Sequence, residues 1–197
     1  NALNAIVGTI SSTDTLTFGT RTTSSITNTG FMEIAGDPLR TNSSVIAYAA
    51  NATGSALVVT LSGTTVSFGT PVSFSAAGTY TVNAMMGSGV QDMGGLMWVE
   101  MIGGSNYVRA SNFTVSGTSL SIGTAYNMTS GDPSGSPNYL SADFNPVQSG
   151  QFVGAYYDAA LTDGVTQLGQ FETLDSNLTS TNFVGMPDAA YSSGATA

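Results

Sequence analysis

Hydrophobic and polar residues alternate along most of this chain, and very little of it shows the spacing of an amphipathic helix. Short apolar stretches are separated by turns rich in Gly, Ser and Asn. This pattern is typical of β-hairpins that follow one another directly. In the region from 42 to 92 it predicts four strands, which are Val45–Tyr48, Ser55–Leu61, Thr65–Phe74 with an interruption at Gly69, and Tyr80–Met86.

One six-residue motif, which we call the phrase, occurs three times in the sequence. It is TLTFGT at Thr15–Thr20, TVSFGT at Thr65–Thr70 and SLSIGT at Ser119–Thr124. The copies are offset by 50 and 54 residues. A period of this size is characteristic of modular repeat folds. We therefore predict one repeat domain over 1–197, built from a partial unit (1–41), two full units (42–92 and 93–148) and an atypical end unit (149–197).

The other units follow the same order of strands. In the third unit the predicted strands are Leu96–Val99, Tyr107–Phe113, Leu120–Gly123 and Tyr139–Phe144. The first unit starts late, because Ala5–Ile10 matches the second strand and nothing matches the first. The fourth unit has Phe152–Tyr157 and Val165–Phe171, lacks the phrase, and ends in Asn182–Gly185.

Four short antiparallel strands in about 50 residues describe the blade of a β-propeller. The expected fold class is therefore all-β, propeller-like, with β-sandwich or solenoid modules as the alternative. A glycine inside a strand pattern marks a bulge or bend, because glycine reaches positive φ without penalty. We expect this glycine to direct Phe18, Phe68 and Ile122 into the layers between units.

The amino-acid composition limits the classes of function that this chain can have. Only 8% of the residues are charged, the formal net charge is −9, and lysine, histidine and cysteine are all missing. Nucleic-acid binding is disfavoured because phosphate recognition needs clustered Lys and Arg. No apolar run approaches the 18 residues that suggest a membrane span. Such a chain is expected on an extracellular or particle surface.

The missing residue types also limit the chemistry. Without His, Cys and Lys there is no Ser-His-Asp, Cys-His or Ser-Lys arrangement, and zinc loses its best ligands. Paired carboxylates, as in glycoside hydrolysis, are the remaining enzymatic option, but the twelve carboxylates are scattered singly. We expect no enzyme, cofactor or metal. The loops 132–138 and 158–164 could suit calcium, but ordinary Asp-capped turns explain them better.

Aromatic residues give the candidate binding positions. Glycan contact is conceivable at Trp98, Glu100, Tyr156 and Tyr157, with core packing as the alternative reading; Tyr48 and Tyr156 occupy equivalent positions, which favours packing between units. Asn-x-Ser/Thr sequons permit N-glycosylation in a secretory host. They lie at Asn42, Asn51, Asn112, Asn127 and Asn177.

The amino-acid sequences of these strands resemble the repeats of tail-fibre and other virion-surface proteins of bacteriophages, those of marine and cyanobacterial phages in particular. The matching segments are Ile46–Tyr48 and Gly154–Asp158 for an Ala-Tyr strand, Val115–Thr124 for the phrase, and the end segments Asn182–Gly185 and Ser193–Ala197. The resemblance covers the chain from about Ala5 to Ala197. It implies a structural, non-enzymatic part of a fibre, appendage or decoration.

The expected partners are other virion or filament subunits, including further copies of this chain, and cell-surface glycans. A secreted adhesin or extracellular filament subunit has similar physics and stays open as an alternative. A carbohydrate-binding module is the third reading.

Overall fold

The computed structural model describes residues 2–27, 29–76, 78–86, 93–128, 140–145, 150–158, 163–170 and 184–185. Every regular element in these ranges is a β-strand, and every strand pair is antiparallel. The prediction of an all-β chain is confirmed. The same ranges contain no helix of the length and apolarity that a bilayer crossing requires.

The first strands form a small N-terminal unit of two strand pairs. They are β1 (Ala2–Ala5), β2 (Gly8–Ile10), β3 (Leu16–Phe18) and β4 (Thr22–Thr27). Strand β1 pairs with β4, and β2 pairs with β3.

Sheet 1 follows and has five strands. They are β5 (Thr29–Gly36), β6 (Ser43–Ala50), β7 (Thr53–Ser62), β8 (Thr65–Phe68) and β9 (Val72–Ser75). The order is β5-β6-β7-β8, and the long strand β7 pairs with β9 through its first half and with β8 through its second half. The β6–β7 hairpin turns at Asn51 and Ala52, which both have positive φ, as a type I′ turn requires.

Sheet 2 has the same arrangement as sheet 1. Its strands are β10 (Thr79–Met86), β11 (Met93–Ile102), β12 (Ser105–Ser116), β13 (Ser119–Ile122) and β14 (Tyr126–Asn127). The order is β10-β11-β12-β13, and β14 pairs with the first half of the long strand β12.

Sheet 3 has four strands in the order β15-β16-β17-β18. They are β15 (Leu140–Phe144), β16 (Gln151–Asp158), β17 (Asp163–Gln170) and β18 (Val184–Gly185).

The phrase has the same backbone geometry in all three places. The N–H of Gly19 donates to the Val7 carbonyl at 2.8 Å, that of Gly69 to Val58 at 2.8 Å, and that of Gly123 to Asn112 at 2.9 Å. In the N-terminal unit β1 and β2 together occupy the position of the long strand β7, which aligns residues 6, 8 and 10 with 57, 59 and 61.

The reason expected for the glycine is wrong. None of the three phrase glycines is among the residues with positive φ. Close approach explains them instead. A Cβ on Gly123 would meet the Asn112 side chain of its own sheet, whereas Gly19 and Gly69 face the next sheet: a Cβ on Gly19 would lie 2.7 Å from the Thr64 carbonyl oxygen, and one on Gly69 would lie 2.5 Å from that of Thr118. Both oxygens belong to the β7–β8 or β12–β13 turn of the next sheet, so the glycine lets successive sheets stack closely.

The strands lie largely where the sequence pattern predicts them, but they are grouped into sheets differently from the predicted units. Thr65–Phe68 is observed as predicted, and Val45–Tyr48 and Ser55–Leu61 lie inside β6 and β7. The last strand predicted for each full unit in fact begins the next sheet, since β10 pairs with β11 and β15 with β16. The strand β5 was not anticipated by the pattern. Of the predicted end segments, Asn182–Gly185 is described only at Val184 and Gly185, which form a strand, and Ser193–Ala197 lies outside the described residues.

Hydrophobic cores lie between successive sheets, because alternate residues of each strand point to opposite faces. We call the side of a sheet that packs on the preceding unit its front face and the other side its back face. In β6, Ile46 and Tyr48 lie on the front face, whereas Val45 and Ala47 lie on the back face.

Each core combines the back face of one unit with the front face of the next. The first core joins Leu3, Ala5, Val7 and Ile26 to Ile46, Tyr48, Leu57, Val59 and Val66 of sheet 1. The second joins Val45, Ala47, Ala49, Ala56 and Val58 to Val82, Leu96, Trp98, Phe113, Val115 and Leu120 of sheet 2. The third joins Met93, Met97, Val99, Val108 and Ala110 to Phe144, Phe152 and Tyr156 of sheet 3.

The sheets therefore form a directional series with a front and a back at every step. The strands of the described ranges do not close into a barrel or a propeller.

Candidate interaction surface

Trp98, the first of the predicted glycan-contact residues, lies inside the core between sheets 1 and 2. Its side chain is fully buried, and its ring lies 4.8 Å from the ring of Phe74, centroid to centroid. A sugar ring cannot stack on it. The core-packing reading applies to this residue.

Glu100 is buried beside Trp98 and is fully engaged by protein groups. Its Oε1 accepts a hydrogen bond from the Ser75 hydroxyl at 2.6 Å, and its Oε2 accepts one from the Arg109 Nη1 at 2.6 Å. The Trp98 indole N–H also points at Oε2, at 3.4 Å. Because Ser75 belongs to sheet 1 and the other groups to sheet 2, this carboxylate joins the two sheets, and both of its oxygens are engaged by protein groups.

A second buried ion pair joins the same two sheets. The carboxylate of Asp37 accepts from Arg40 Nη1 at 2.6 Å, and Arg40 Nη2 donates to the Val115 carbonyl of sheet 2 at 3.0 Å. The Asp37 side chain is 1% exposed. Arg40 thus bonds directly across the contact between sheets 1 and 2, and Arg109 holds the Glu100 carboxylate that does so, roles that sequence reasoning missed. The signal was their rarity, together with a carboxylate three residues before Arg40.

Arg21 is the third arginine, and it is exposed. Within the part of the chain that the structure describes, it makes neither a hydrogen bond nor an ion pair.

Two of the tyrosines considered as binding or packing positions, Tyr48 and Tyr156, are buried. Tyr48 and Tyr156 lie in the cores on the front faces of sheets 1 and 3, so their equivalence reflects packing between sheets. Burial raises the pKa of the Tyr48 phenol above its usual value of 10.0, and a hydrogen bond with Ser55 offsets part of this effect. The side chain of Tyr157 lies outside the described residues.

The sequons differ in their access to solvent. Asn42, Asn51 and Asn127 are exposed. Asn112 is 6% exposed, and its amide contacts the sulfur of Met93, so the folded chain cannot present it for glycosylation. Asn177 lies outside the described residues.

Chemistry by clustered acidic groups finds no support in the described ranges. They contain no group of three or more His, Cys, Asp or Glu side chains able to hold a metal ion. The loop 132–138 and positions 159–162 of the other calcium candidate lie outside them.

A cavity of about 380 Å³ opens between β4 and β8, where the N-terminal unit meets sheet 1. No charged side chain lines it. Its lining consists of Thr22, Ser24, Ser25, Ile26, Val66, Ser67, Phe68, Gly69 and Pro71. Hydroxyl groups beside apolar groups suit neutral molecules, and nothing at the cavity selects one of them.

The most distinctive surface is the front face of the N-terminal unit. Ile6, Ile10, Leu16 and Phe18 are 50%, 75%, 53% and 65% exposed. They share one face, since Ile10 pairs with Leu16, and a Cβ on Gly8 would lie 3.4 Å from both Leu16 and Phe18. The expectation that Phe18 lies between units is therefore wrong, whereas Phe68 and Ile122 do pack on the cores.

A neighbouring apolar strip lies on the edge strand β5. Met32 and Ile34 pair with Tyr48 and Ile46 on the front face of sheet 1, yet they are 47% and 59% exposed. Val82, which pairs with Trp98 as Met32 pairs with Tyr48, is 7% exposed in sheet 2. The described N-terminal unit has no strands opposite Met32 and Ile34, so these side chains stay uncovered.

Comparisons with known proteins add no family to these observations. No protein-family model matches the chain, and no curated protein has a sequence similar enough to match it.

Proposed function

We propose that this chain is a structural, non-enzymatic component of a bacteriophage virion surface, in a fibre, an appendage or a decoration. The observation that carries this proposal is the directional series of sheets, in which ion pairs and aromatic side chains hold sheet to sheet while an apolar face is left uncovered at one end. Four charged side chains take part in or support this stacking; they are Asp37, Arg40, Glu100 and Arg109.

The finer architecture is part of the same proposal. The recurring phrase and its recurring hydrogen bond support successive units of one propeller-like repeat, in which each sheet is a four-stranded blade with its long strand divided between two short partners. Closure would then need further blades, from residues outside the described ranges or from another chain.

Trp98, Glu100 and Tyr156 are buried, which weakens the carbohydrate-binding alternative at three of its four candidate residues; the side chain of the fourth, Tyr157, lies outside the described residues. The secreted adhesin or filament subunit remains the competing function, because it would use the same stacked sheets.

Location separates these two functions. Antibodies raised against the purified chain should label the surface of purified phage particles in immunogold electron microscopy, and the chain should appear in the particles' mass spectra. Pre-immune serum and particles of an unrelated phage are the controls. Labelling of cell surfaces or extracellular filaments, with none on particles, would overturn the virion proposal in favour of the adhesin.

A further inference from the structure

The front faces of sheets 1 and 2 are both covered by the unit before them. In sheet 1 the residues aligned with Ile6 and Leu16 are Leu57 and Val66, which are 0% and 4% exposed. In sheet 2 the phrase residue Leu120 is 6% exposed and belongs to the core that also contains Val45 and Ala47 of sheet 1.

The front face of the N-terminal unit carries the same kind of side chains, and no strand of the described ranges packs upon it. Ile6, Ile10, Leu16 and Phe18 are each at least half exposed, although they correspond to core residues of sheet 1. The uncovered face is thus the next member of a series of established sheet-to-sheet contacts. What covers the other members is in each case the back face of the preceding unit, which combines small and β-branched residues with Leu3 in the N-terminal unit and with Met93 and Met97 in sheet 2.

A matching back face lies at the other end of the described chain. In β16 the buried residues Phe152, Gly154 and Tyr156 face sheet 2, and Val153 and Ala155, between them, are exposed. By alignment on the tyrosines, Val153 and Ala155 correspond to Val45 and Ala47, the back-face residues of sheet 1 that lie in the second core.

Charge is complementary between these two ends. Arg21 follows the phrase as Pro71 and Ala125 do, and Ala125 packs against the sheet in front of it, so Arg21 lies at the uncovered front face. Asp143 pairs with Val153, alternates with residues that pack on sheet 2, and is exposed without an ion-pair partner in the described ranges. The Asp143 carboxylate accepts one hydrogen bond, from the Phe144 N–H at 2.9 Å, and has no cationic partner among the described residues. A cation and an anion, each without an ion pair in the described ranges, therefore lie on the two faces.

We propose that a second copy of this chain docks head to tail, with the back face of its sheet 3, at Val153 and Ala155, on the front face formed by Ile6, Ile10, Leu16 and Phe18. Arg21 of one copy then pairs with Asp143 of the other. This inference deepens the proposed structural function by naming its partner and surface. The contact is heterologous, so it propagates into open chains or closed rings rather than stopping at a two-fold dimer.

Analytical ultracentrifugation of the purified full chain tests the contact. We expect oligomers for the original chain. Phe18→Asp or Val153→Asp should weaken association by about 100-fold, because a carboxylate would be buried in an apolar interface. Thr17→Asp, which adds the same charge on the opposite face of β3, is the matched control and should leave association within about threefold. Circular dichroism and melting checks that each variant is folded.

A mixing experiment separates a head-to-tail contact from a symmetric one. Phe18→Asp has an intact back face and Val153→Asp has an intact front face, so each alone should be monomeric and an equimolar mixture should form only heterodimers. Association of Val153→Asp alone, or a mixture that stays monomeric, would overturn the proposal.

Charge reversal gives an independent readout. Arg21→Asp should weaken association, and Arg21→Asp combined with Asp143→Arg should restore it, with a salt dependence like that of the original chain. A double variant no better than the single variant contradicts the pairing. A chain that is monomeric in solution and yet labels virions would refute this interface while leaving the proposed function standing.

Discussion

At the scale of single residues, equivalent positions of the phrase have very different surroundings. Phe18 and Phe68 are both the fourth residue of the phrase and the last residue of a short strand. Phe18 is nevertheless 65% exposed, whereas Phe68 packs on the core between the N-terminal unit and sheet 1. The difference comes only from whether a unit lies in front.

This pair gives a prediction with its own control. Phe68→Ala should lower the free energy of unfolding by about 2–3 kcal/mol, less than a fully buried phenylalanine because Phe68 is only partly buried. Phe18→Ala should change it by less than about 0.5 kcal/mol. Urea denaturation at a concentration where the chain is monomeric measures both. Equal losses for the two variants would show that Phe18 is covered within a single chain.

Tyr48 makes stability depend on alkaline pH. Its pKa is raised in the folded chain, so the unfolded chain loses this proton first as the pH rises, and stability that is present below pH 10.0 falls above it. Because the chain has no Lys, His or Cys, the side chains that titrate in this range are tyrosines.

We therefore expect the free energy of unfolding of the original chain to fall more steeply above pH 10.0 than that of Tyr48→Phe. Denaturant titrations at a series of pH values measure the two slopes, and ultraviolet absorbance follows phenolate formation. Tyr107→Phe, whose side chain is only partly buried, is the control. Parallel slopes for the original chain and Tyr48→Phe would contradict the assignment.

At the scale of elements, the contact between a phrase and the next hairpin turn sets the spacing of the sheets. A Cβ on Gly69 would meet the carbonyl oxygens of Thr118 and Val58 at 2.5 and 3.0 Å, and backbone atoms cannot move aside as a flexible side chain can.

Gly69→Ala should cost about 2 kcal/mol or more of stability, as overpacking does elsewhere. Gly36→Ala is the control, since a Cβ there meets nothing within 4 Å and φ is not positive. It should be neutral or slightly stabilising through the unfolded state. Thermal melts of both variants measure the difference, and a harmless Gly69→Ala would mean that sheets 1 and 2 approach less closely than described.

The clamp of Glu100, Arg109 and Ser75 is the second contact between elements that we expect to matter. Glu100→Gln leaves the partly buried guanidinium of Arg109 without its counter-charge, which should cost about 2–3 kcal/mol. Glu33→Gln, at an exposed position of β5, should cost less than about 0.5 kcal/mol.

Chemical denaturation compares these two variants. Glu100→Leu combined with Arg109→Met should recover most of the loss, because apolar replacement of a buried ion pair removes both desolvation costs. A loss at Glu100→Gln no larger than that at Glu33→Gln would show that the ion pair contributes nothing to stacking.

The sequence predicted the positions of the strands better than it predicted which strands pair with each other. Alternation is a local signal, so it located Thr65–Phe68 and the interiors of β6 and β7. Whether Tyr80–Met86 ends one sheet or begins the next depends on which neighbour it pairs with, and no local pattern contains that. Trp98 and Glu100 looked like a sugar site for the same reason, since their burial comes from Phe74 and Ser75, more than twenty residues earlier in the chain.

At the scale of the whole molecule, the described chain is a series of sheets whose two ends differ. Every internal front face is covered, the first is not, and the last back face carries exposed Val153 and Ala155. Such a series can be lengthened by adding units at either end without altering any contact already made. That property is what a fibre or appendage subunit requires.

The scarcity of basic residues limits where trypsin can cut this chain. Trypsin cuts after lysine or arginine, and this chain offers only three arginines, of which Arg40 and Arg109 are held in ion pairs with Asp37 and Glu100. We expect the folded monomer to be nicked once, after Arg21, whereas the unfolded chain yields four peptides; electrophoresis and mass spectrometry of timed digests distinguish the two. Arg21→Gln should resist trypsin until it unfolds, and a cut after Arg109 in the folded chain would contradict the clamp. An assembly that also covers Arg21 would leave trypsin no site to cut, so digestion would be governed by the rate at which subunits leave the assembly.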